Sequence, residues 1–303
     1  MPTSGNEGKR LMKSLVNSIR NYFSLVKFSH TIFAMPFALI GYSLAVSEPE
    51  YNFSLRLLLL IVLCMIFARN AAMGFNRLAD KRFDALNPRT RNREIPSGII
   101  GSRAAAIFVI INVVLFIVST SFINPLTLYL SPVALIVILG YSLTKRFTFL
   151  CHFILGLGLS LAPIGAYISL TGKFSIVPLL YSFIVLTWVS GFDIIYALQD
   201  DEFDKTNNLY SVPSAAGIKN AIVISVFVHT ITFLLVVFAG FTGNGGWLYW
   251  TGAFLFSVFL LYQHLIVRHN DLSRINIAFG TTNGVASVLF AIFVILDLFL
   301  RYK

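Results

Sequence analysis

The sequence predicts an all-α polytopic membrane protein, and three observations predict it. The 303 residues are 57% hydrophobic and only 12% charged, with a mean hydropathy of +0.80, which soluble domains of this length do not reach. Nine apolar segments can be drawn, at residues 28–47, 55–75, 104–121, 126–144, 151–171, 176–198, 218–241, 247–267 and 280–300. The basic residues are sorted between the two ends of these segments. With the N-terminus cytoplasmic, 19 of the 23 Lys and Arg residues fall on the cytoplasmic side, and only Arg56, Lys173, Arg301 and Lys303 fall outside. That is the positive-inside bias. It accounts for the formal charge of +10 as topology and leaves no call for nucleic acid.

Residues 1–27 read as a cytoplasmic tail followed by an interfacial helix, and residues 28–303 as one nine-span domain. The tail is polar over its first ten residues, so no secretory signal is expected. Leu11, Leu15, Ile19, Phe23 and Val26 then form an apolar stripe with Lys13, Arg20 and Asn21 off it, the pattern of a helix lying on an anionic leaflet. Helix breakers mark three spans: Pro36 in the first, Pro132 in the fourth, and Gly156, Gly158, Pro163 and Gly165 in the fifth. They suit either freed backbone lining a cavity or close helix packing. Cys64 and Cys151 lie in or beside apolar runs and suggest neither a disulfide nor a zinc site. His30, His152, His229, His264 and His269 show no ligand spacing and read as packing or interface residues.

Carboxylates carry the functional signal. Eight of the 13 acidic residues lie in or beside two stretches: Asp80, Asp84, Glu94, Asp193, Asp200, Asp201, Glu202 and Asp204. At the end of span two, Asn76, Asp80 and Asp84 recur at steps of four, which returns to one helix face with neighbours roughly 6 Å apart. At the end of span six, Tyr196, Asp200 and Asp204 repeat the step, with Asp193 three residues earlier on the same face. An even number of spans separates the stretches, so both emerge at one mouth of the bundle. Acids at membrane depth are costly and functional by default. Hard oxygen ligands without a Cys or His pair point to Mg²⁺ rather than zinc. Magnesium held by few carboxylates completes its shell with water and substrate phosphate, so a diphosphate clamped between the two sets is the economical reading. Tyr141 and Lys145, placed in the short loop after span four, supply a hydroxyl and an ammonium to close over it.

These residues resemble a known family. NRLADKRFD (residues 76–84) matches NxxxDxxxD, DIIYALQDDEFD (193–204) matches DxxYAxxDxxxD, and YSLTK (141–145) matches YxxxK. Together with residues 87–98, NPRTRNREIPSG, they look like the UbiA superfamily of intramembrane prenyltransferases, over nearly the whole chain. The resemblance implies nine helices around a central cavity, two Mg²⁺ ions, a polyprenyl diphosphate donor and a lateral opening to lipid. The motif forms are closest to the branch acting on 4-hydroxybenzoate in quinone biosynthesis, which also contains enzymes prenylating a dihydroxynaphthoate for menaquinone. An aromatic acid acceptor is therefore expected, 4-hydroxybenzoate first.

Carried over by position, Asn76, Asp80 and Asp84 would hold one Mg²⁺ with the diphosphate, and Asp200 and Asp204 the other. Tyr141 and Lys145 would cap the diphosphate. Arg69, on the face of Asn76, would contact diphosphate or acceptor. Asp193 would accept the acceptor's phenolic proton, and Tyr196 would offer a ring and hydroxyl beside the developing cation. The implied setting is a cell's inner (plasma) membrane with the active-site mouth cytoplasmic. The rival of a different class is an ion-coupled transporter, which broken helices and membrane acids also suit. A membrane scaffold leaves the spaced aspartates unexplained, and haem farnesylation and phosphoribose transfer remain within the enzyme class.

Topology can be checked directly. In a chain with Cys64 and Cys151 replaced by serine, cysteines at Arg91, Thr206 and Asn270 should react with an impermeant thiol reagent from the cytoplasmic side only. One at Lys173 should react only from the other side. Labelling of positions 91 and 206 from opposite faces would separate the two aspartate sets.

Overall fold

The computed structural model describes residues 20–22, 24–26 and 33–301, and every regular element among them is a helix. In chain order these are α1 (Met35–Ser47), α2 (Leu55–Ala79), α3 (Lys81–Leu86), α4 (Ser102–Ser121), α5 (Pro125–Thr144), α6 (Cys151–Thr171), α7 (Ile176–Ala197), α8 (Asp201–Thr206), α9 (Val212–Thr242), α10 (Trp247–Ile266) and α11 (Asn283–Arg301). Among the described residues, eight helical stretches are long and apolar enough to cross a membrane, and α1 is a shorter apolar helix. The protein is an integral membrane protein. The start of the first expected span, His30 and most of the expected interfacial helix lie outside the described residues.

Local sequence explains the helix ends. Asn124 and Ser211 each form a reciprocal capping box at the starts of α5 and α9, satisfying backbone donors that have no partner within the helix. Gly172 closes α6 in the left-handed conformation, φ 67°, which costs glycine nothing. Pro36 stands in the first turn of α1 rather than mid-span, where its missing N–H is not needed. The seventh apolar segment begins earlier than its hydropathy indicates. α9 starts at Val212 and is interrupted at Gly217, φ 80° and ψ 160°.

α7 is the most buried span and lies between α6 and α9. α1 packs on α6 and α11, α2 on α4 and α5, and α10 on α9 and α11. Hydrocarbon gives no hydrophobic drive for helix association, so close contact must supply the cohesion. Gly41 and Gly156 show how close. A Cβ on Gly41 would sit 2.0 Å from the Pro163 carbonyl oxygen, and one on Gly156 would sit 2.4 Å from that of Leu186. Gly156 is thus a packing residue, whereas Gly165 has nothing within 4 Å of its missing Cβ.

The core between these helices is aromatic. Trp188 meets Phe37 at 5.3 Å and Phe192 at 5.1 Å, and Phe256 meets Phe290 at 5.0 Å between centroids. Polar residues tie it. Trp188 Nε1–H donates to Asn283 Oδ1 at 2.9 Å, and Asn283 Nδ2 donates to the Ala278 carbonyl at 2.8 Å. That carbonyl belongs to a single π-helical turn, Ile277–Thr282, which precedes α11, so a side chain satisfies backbone that the wider turn frees. His229 Nδ1 lies 2.8 Å from His264 Nε2.

Gly41→Val should destabilise the bundle by about 3 kcal/mol, because α6 backbone occupies the space. A lower melting temperature in detergent would show it, with Gly165→Ala nearly unchanged. Equal melting of the two variants would contradict the α1–α6 contact.

Candidate active site

Both aspartate stretches have one backbone design. α2 runs to Ala79, breaks at Asp80 (φ −89°, ψ 7°) and resumes as the six-residue α3, which carries Asp84. α7 runs to Ala197, tightens into a 3₁₀ turn over Leu198–Asp200, breaks at Asp200 (φ −108°, ψ 7°) and resumes as the six-residue α8, which carries Asp204. The weak repeat in the sequence is therefore a repeat of backbone. The expectation of an unbroken helix face needs correction in both copies. Aspartate is a poor interior helix residue because its side chain competes for nearby backbone. The first break still preserves the step of four, since Asp80 N–H donates to the Asn76 carbonyl at 2.9 Å and Asp84 N–H to that of Asp80 at 2.8 Å.

Each carboxylate is met by a cation. Arg93 pairs with Asp84 at 2.7 Å, Arg89 with Asp200 at 2.5 Å, Lys145 with Asp204 at 2.7 Å and Arg146 with Asp80 at 3.6 Å. Asn76 Nδ2 donates to Asp80 Oδ2 at 3.1 Å, and Ser211 Oγ donates to Asp204 Oδ2 at 2.9 Å. The two sets meet through the segment after α3. Asn87 Nδ2 donates to Asp200 Oδ1 at 3.1 Å, and Arg89 Nε to the same oxygen at 3.1 Å. Arg89 also donates to the Tyr196 hydroxyl at 3.0 Å, and the Tyr196 ring stacks on Phe279 at 4.1 Å. Lys145 lies within electrostatic reach of Asp80 on one side and of Asp200 and Asp204 on the other.

The electrostatics follow from burial and pairing. Burial pushes the Asp80 carboxyl up to about 6, the neighbouring Asp84 charge adds to this, and Arg146 and Lys145 oppose it. For Lys145 burial works downward, but the Asp204 carboxylate outweighs it and holds the ammonium above its ordinary value. Arg89 behaves the same way over Asp200.

Arg89 and Arg93 are residues that periodicity missed. Their segment is a folded loop: Asn87 Oδ1 accepts the Arg89 N–H at 2.9 Å, Thr90 Oγ1 donates to the Asp84 carbonyl at 3.0 Å, and Ile100 N–H donates to the Glu94 carbonyl at 2.9 Å. The asparagine turn aims Arg89 back across the mouth. The available clue was three arginines at 89, 91 and 93 between two acidic helices, which topology alone also explains.

Other residues fall as follows. Tyr141 stands in the last turn of α5, not in a loop, because the helix continues to Thr144 and leaves only Lys145 as its cap. It faces Arg69, Arg77 and Asp80 electrostatically, so Arg69 and Tyr141 share the site's α2–α5 wall. Asp201 pairs with Lys205 at 2.8 Å, and Glu202 is exposed. Asp193 does not stand alone: its Oδ2 lies 2.7 Å from His152 Nδ1. His152 lies four residues before Gly156, where α6 and α7 approach closely.

The residues fit a metal–diphosphate rather than a bare ion. Among the described residues no three Asp, Glu, His or Cys side chains converge as a ready cage. Asp84 Oδ2 is nevertheless buried without a hydrogen-bond partner, and so is the Arg77 Nε donor. An orphaned carboxylate oxygen suits a hard cation, and surrounding guanidinium and ammonium groups suit its phosphate.

Paired aspartate breaks with facing cations at one end of a helical membrane bundle make a site suited to an intramembrane enzyme that handles a charged group at the bilayer edge. Residues 34–294 match the profile of the UbiA prenyltransferase family. The chain belongs to that family. It is 29% identical over 235 residues to 4-hydroxybenzoate octaprenyltransferase of Aliivibrio fischeri (strain MJ11), covering 78% of this chain and 82% of the relative. It is 32% identical over 241 residues to the enzyme of that name from Nitrosomonas eutropha, with the same coverage of 78% and 82%. Among solved structures it superposes on a UbiA homolog from Aeropyrum pernix K1 in the apo state, with TM-score 0.80, 29% identity, and coverage of 88% and 98%. A UbiA homolog from Archaeoglobus fulgidus bound to DMAPP and Mg²⁺ shares the fold at TM-score 0.71 and 20% identity, with coverage of 92% and 99%.

Arg89→Ala should raise the apparent KM for a prenyl diphosphate by about 10-fold or more, the scale of a lost charged hydrogen bond. Lys145→Ala should act in the same direction. Steady-state kinetics in detergent would show it, and unchanged donor KM in both would make these cations mere partners of the aspartates.

Proposed function

We propose that the protein transfers a polyprenyl group from polyprenyl diphosphate to an aromatic acid, 4-hydroxybenzoate, releasing diphosphate, in quinone biosynthesis. The observation that carries this reading is the convergence of both aspartate sets, through Asn87, Arg89 and Lys145, on one polar mouth of an apolar bundle. The names of the curated relatives and the Mg²⁺ and DMAPP of the archaeal homolog support it. Asn76, Asp80 and Asp84 would hold one Mg²⁺, and Asp200 and Asp204 a second. When bound, magnesium supplies positive charge against the phosphate oxygens.

The chain's own residues do the rest. Arg89, Arg93, Lys145 and Arg146 exchange carboxylate oxygens for diphosphate oxygens, and Tyr141 adds a hydroxyl from α5. They stabilise the diphosphate as the allylic C–O bond breaks and the leaving oxygen takes the bonding pair. The apolar interior keeps water from the allylic cation, and the aromatic faces of Tyr196 and Phe279 lie beside the mouth to stabilise it. Asp193 accepts the phenolic proton, which makes the ring carbon ortho to the oxygen nucleophilic. That carbon forms the new C–C bond, and loss of its hydrogen as a proton restores the aromatic ring. Arg69 is the partner for the acceptor's carboxylate, through a planar fork that lysine lacks.

The positive-inside bias supports an orientation with the aspartate mouth and the N-terminus cytoplasmic, and the membrane on this reading is the cell's inner (plasma) membrane.

Purified protein offered 4-hydroxybenzoate, a dihydroxynaphthoate and labelled polyprenyl diphosphate should prenylate 4-hydroxybenzoate in preference, and EDTA should abolish turnover. Asp80→Asn and Asp200→Asn should each lower turnover by ~10²-fold or more with helical content retained. Arg69→Lys should raise the acceptor KM more than the donor KM. Preference for the naphthoate would overturn the acceptor, and near-normal turnover of either aspartate variant at saturating Mg²⁺ would overturn the two-metal clamp.

A further inference from the structure

Asp193 is placed by a neighbour that the reaction scheme above does not use. His152 stands in the first turn of α6, is only 2% exposed, and brings Nδ1 to 2.7 Å from Asp193 Oδ2 across the α6–α7 contact. Its other ring nitrogen is also engaged. The Val212 N–H, at the start of α9, donates to His152 Nε2 at 3.2 Å. A nitrogen that accepts an N–H carries no proton of its own, so the proton sits on Nδ1 and is donated to Asp193. The position of Val212 strengthens the assignment, because free N–H groups at a helix start disfavour a second positive group there. Ser190 Oγ, whose proton goes to the Leu186 carbonyl at 2.7 Å, also lies 3.3 Å from the His152 carbonyl.

The consequence is a carboxylate with two unequal oxygens. Oδ2 is committed to the imidazole, and among the described residues Oδ1 has no such partner. The Asp193 side chain is 21% exposed while that of His152 is 3%, so the carboxylate stands between buried imidazole and open site. The same helix start reaches the diphosphate half of the mouth, since Ser211 caps α9 and donates to Asp204.

We propose that His152 is a positioning residue for the proton acceptor: it donates Nδ1–H to Asp193 Oδ2, fixes the carboxylate's rotation, and presents Oδ1 to the acceptor's phenol. The proposal rests on the reading of Asp193 as the base. No net proton passes to His152; the phenolic proton stops on Asp193. The alternative is a purely structural tie between α6, α7 and α9, and the two differ in what they do to kinetics.

The test is a double-mutant cycle in the full-length, detergent-purified protein with Mg²⁺, polyprenyl diphosphate and 4-hydroxybenzoate, turnover being normalised to folded protein. His152→Leu, which keeps bulk and removes both nitrogens, should lower kcat about 10- to 100-fold, the scale of a misplaced reacting group, with donor KM within about threefold. His152→Gln, which restores an amide N–H donor, should recover most of that loss. In an Asp193→Asn background His152→Leu should cause no further loss of turnover, because the group it positions is gone. An equal fractional loss in both backgrounds, or normal kcat in His152→Leu, would make His152 a structural tie and overturn the proposal. Should His152→Leu fail to fold, full kcat in His152→Phe, which keeps a ring without a donor, would overturn it equally. Normal turnover of Asp193→Asn by itself would instead remove the base reading, a failure distinguishable because it needs no change at His152.

Discussion

The constraint on which the rest depends is that a carboxylate at the end of a membrane-length helix cannot stand uncompensated. Asp84, Asp200 and Asp204 are buried, and leaving such charges unpaired is far more costly than the pairing itself returns. The chain answers with its own cations: Arg93, Arg89 and Lys145 each take one carboxylate. This offsets the buried negative charge at the bilayer edge. On the proposed reading, substrate entry would be an exchange of partners rather than the creation of new charge in low dielectric. The carboxylates that would hold a metal already have guanidinium and ammonium groups beside them, and those groups would be within reach of an anion arriving with it.

Helix breaks make that balance geometrically possible. Two straight helices would point their aspartates along two parallel rods. Breaking at Asp80 and at Asp200 turns each last carboxylate onto a short separate helix, and the loop between α3 and α4 then spans from one to the other. The loop holds its shape through turn hydrogen bonds, backbone to backbone and side chain to backbone, rather than through a long helix or sheet ladder. Rigidity in a binding loop of this kind removes part of the ordering cost of taking up a ligand.

The aspartates were legible because a period of 3.6 residues makes steps of four visible, and Asn76, Asp80 and Asp84 obey it across a break. The spans were legible from hydropathy to within a few residues at most ends. Arg89 and Arg93 were not, because Pro88, Pro96 and the positive φ of Gly98 deny their segment any period. His152 was not, because Asp193 lies 41 residues away and their meeting depends on how closely α6 and α7 approach at Gly156. Periodicity reports which residues share one helix; it says nothing about which helices touch. The breaks at Asp80 and Asp200 escaped for a related reason, since aspartate disfavours a helix interior only weakly and tertiary contacts decide.

The interruption at Gly217 divides one helix between two tasks. Its backbone, φ 80° and ψ 160°, is open to glycine and strained for other residues. Residues 218–242 beyond it suffice, at about 1.5 Å per residue, to cross a hydrocarbon layer of about 30 Å. The short head before the break is thereby relieved of spanning duty, and its direction is set by its own contacts: Ser211 on Asp204 and Val212 on His152. A single glycine thus lets a greasy rod end in a differently aimed tip.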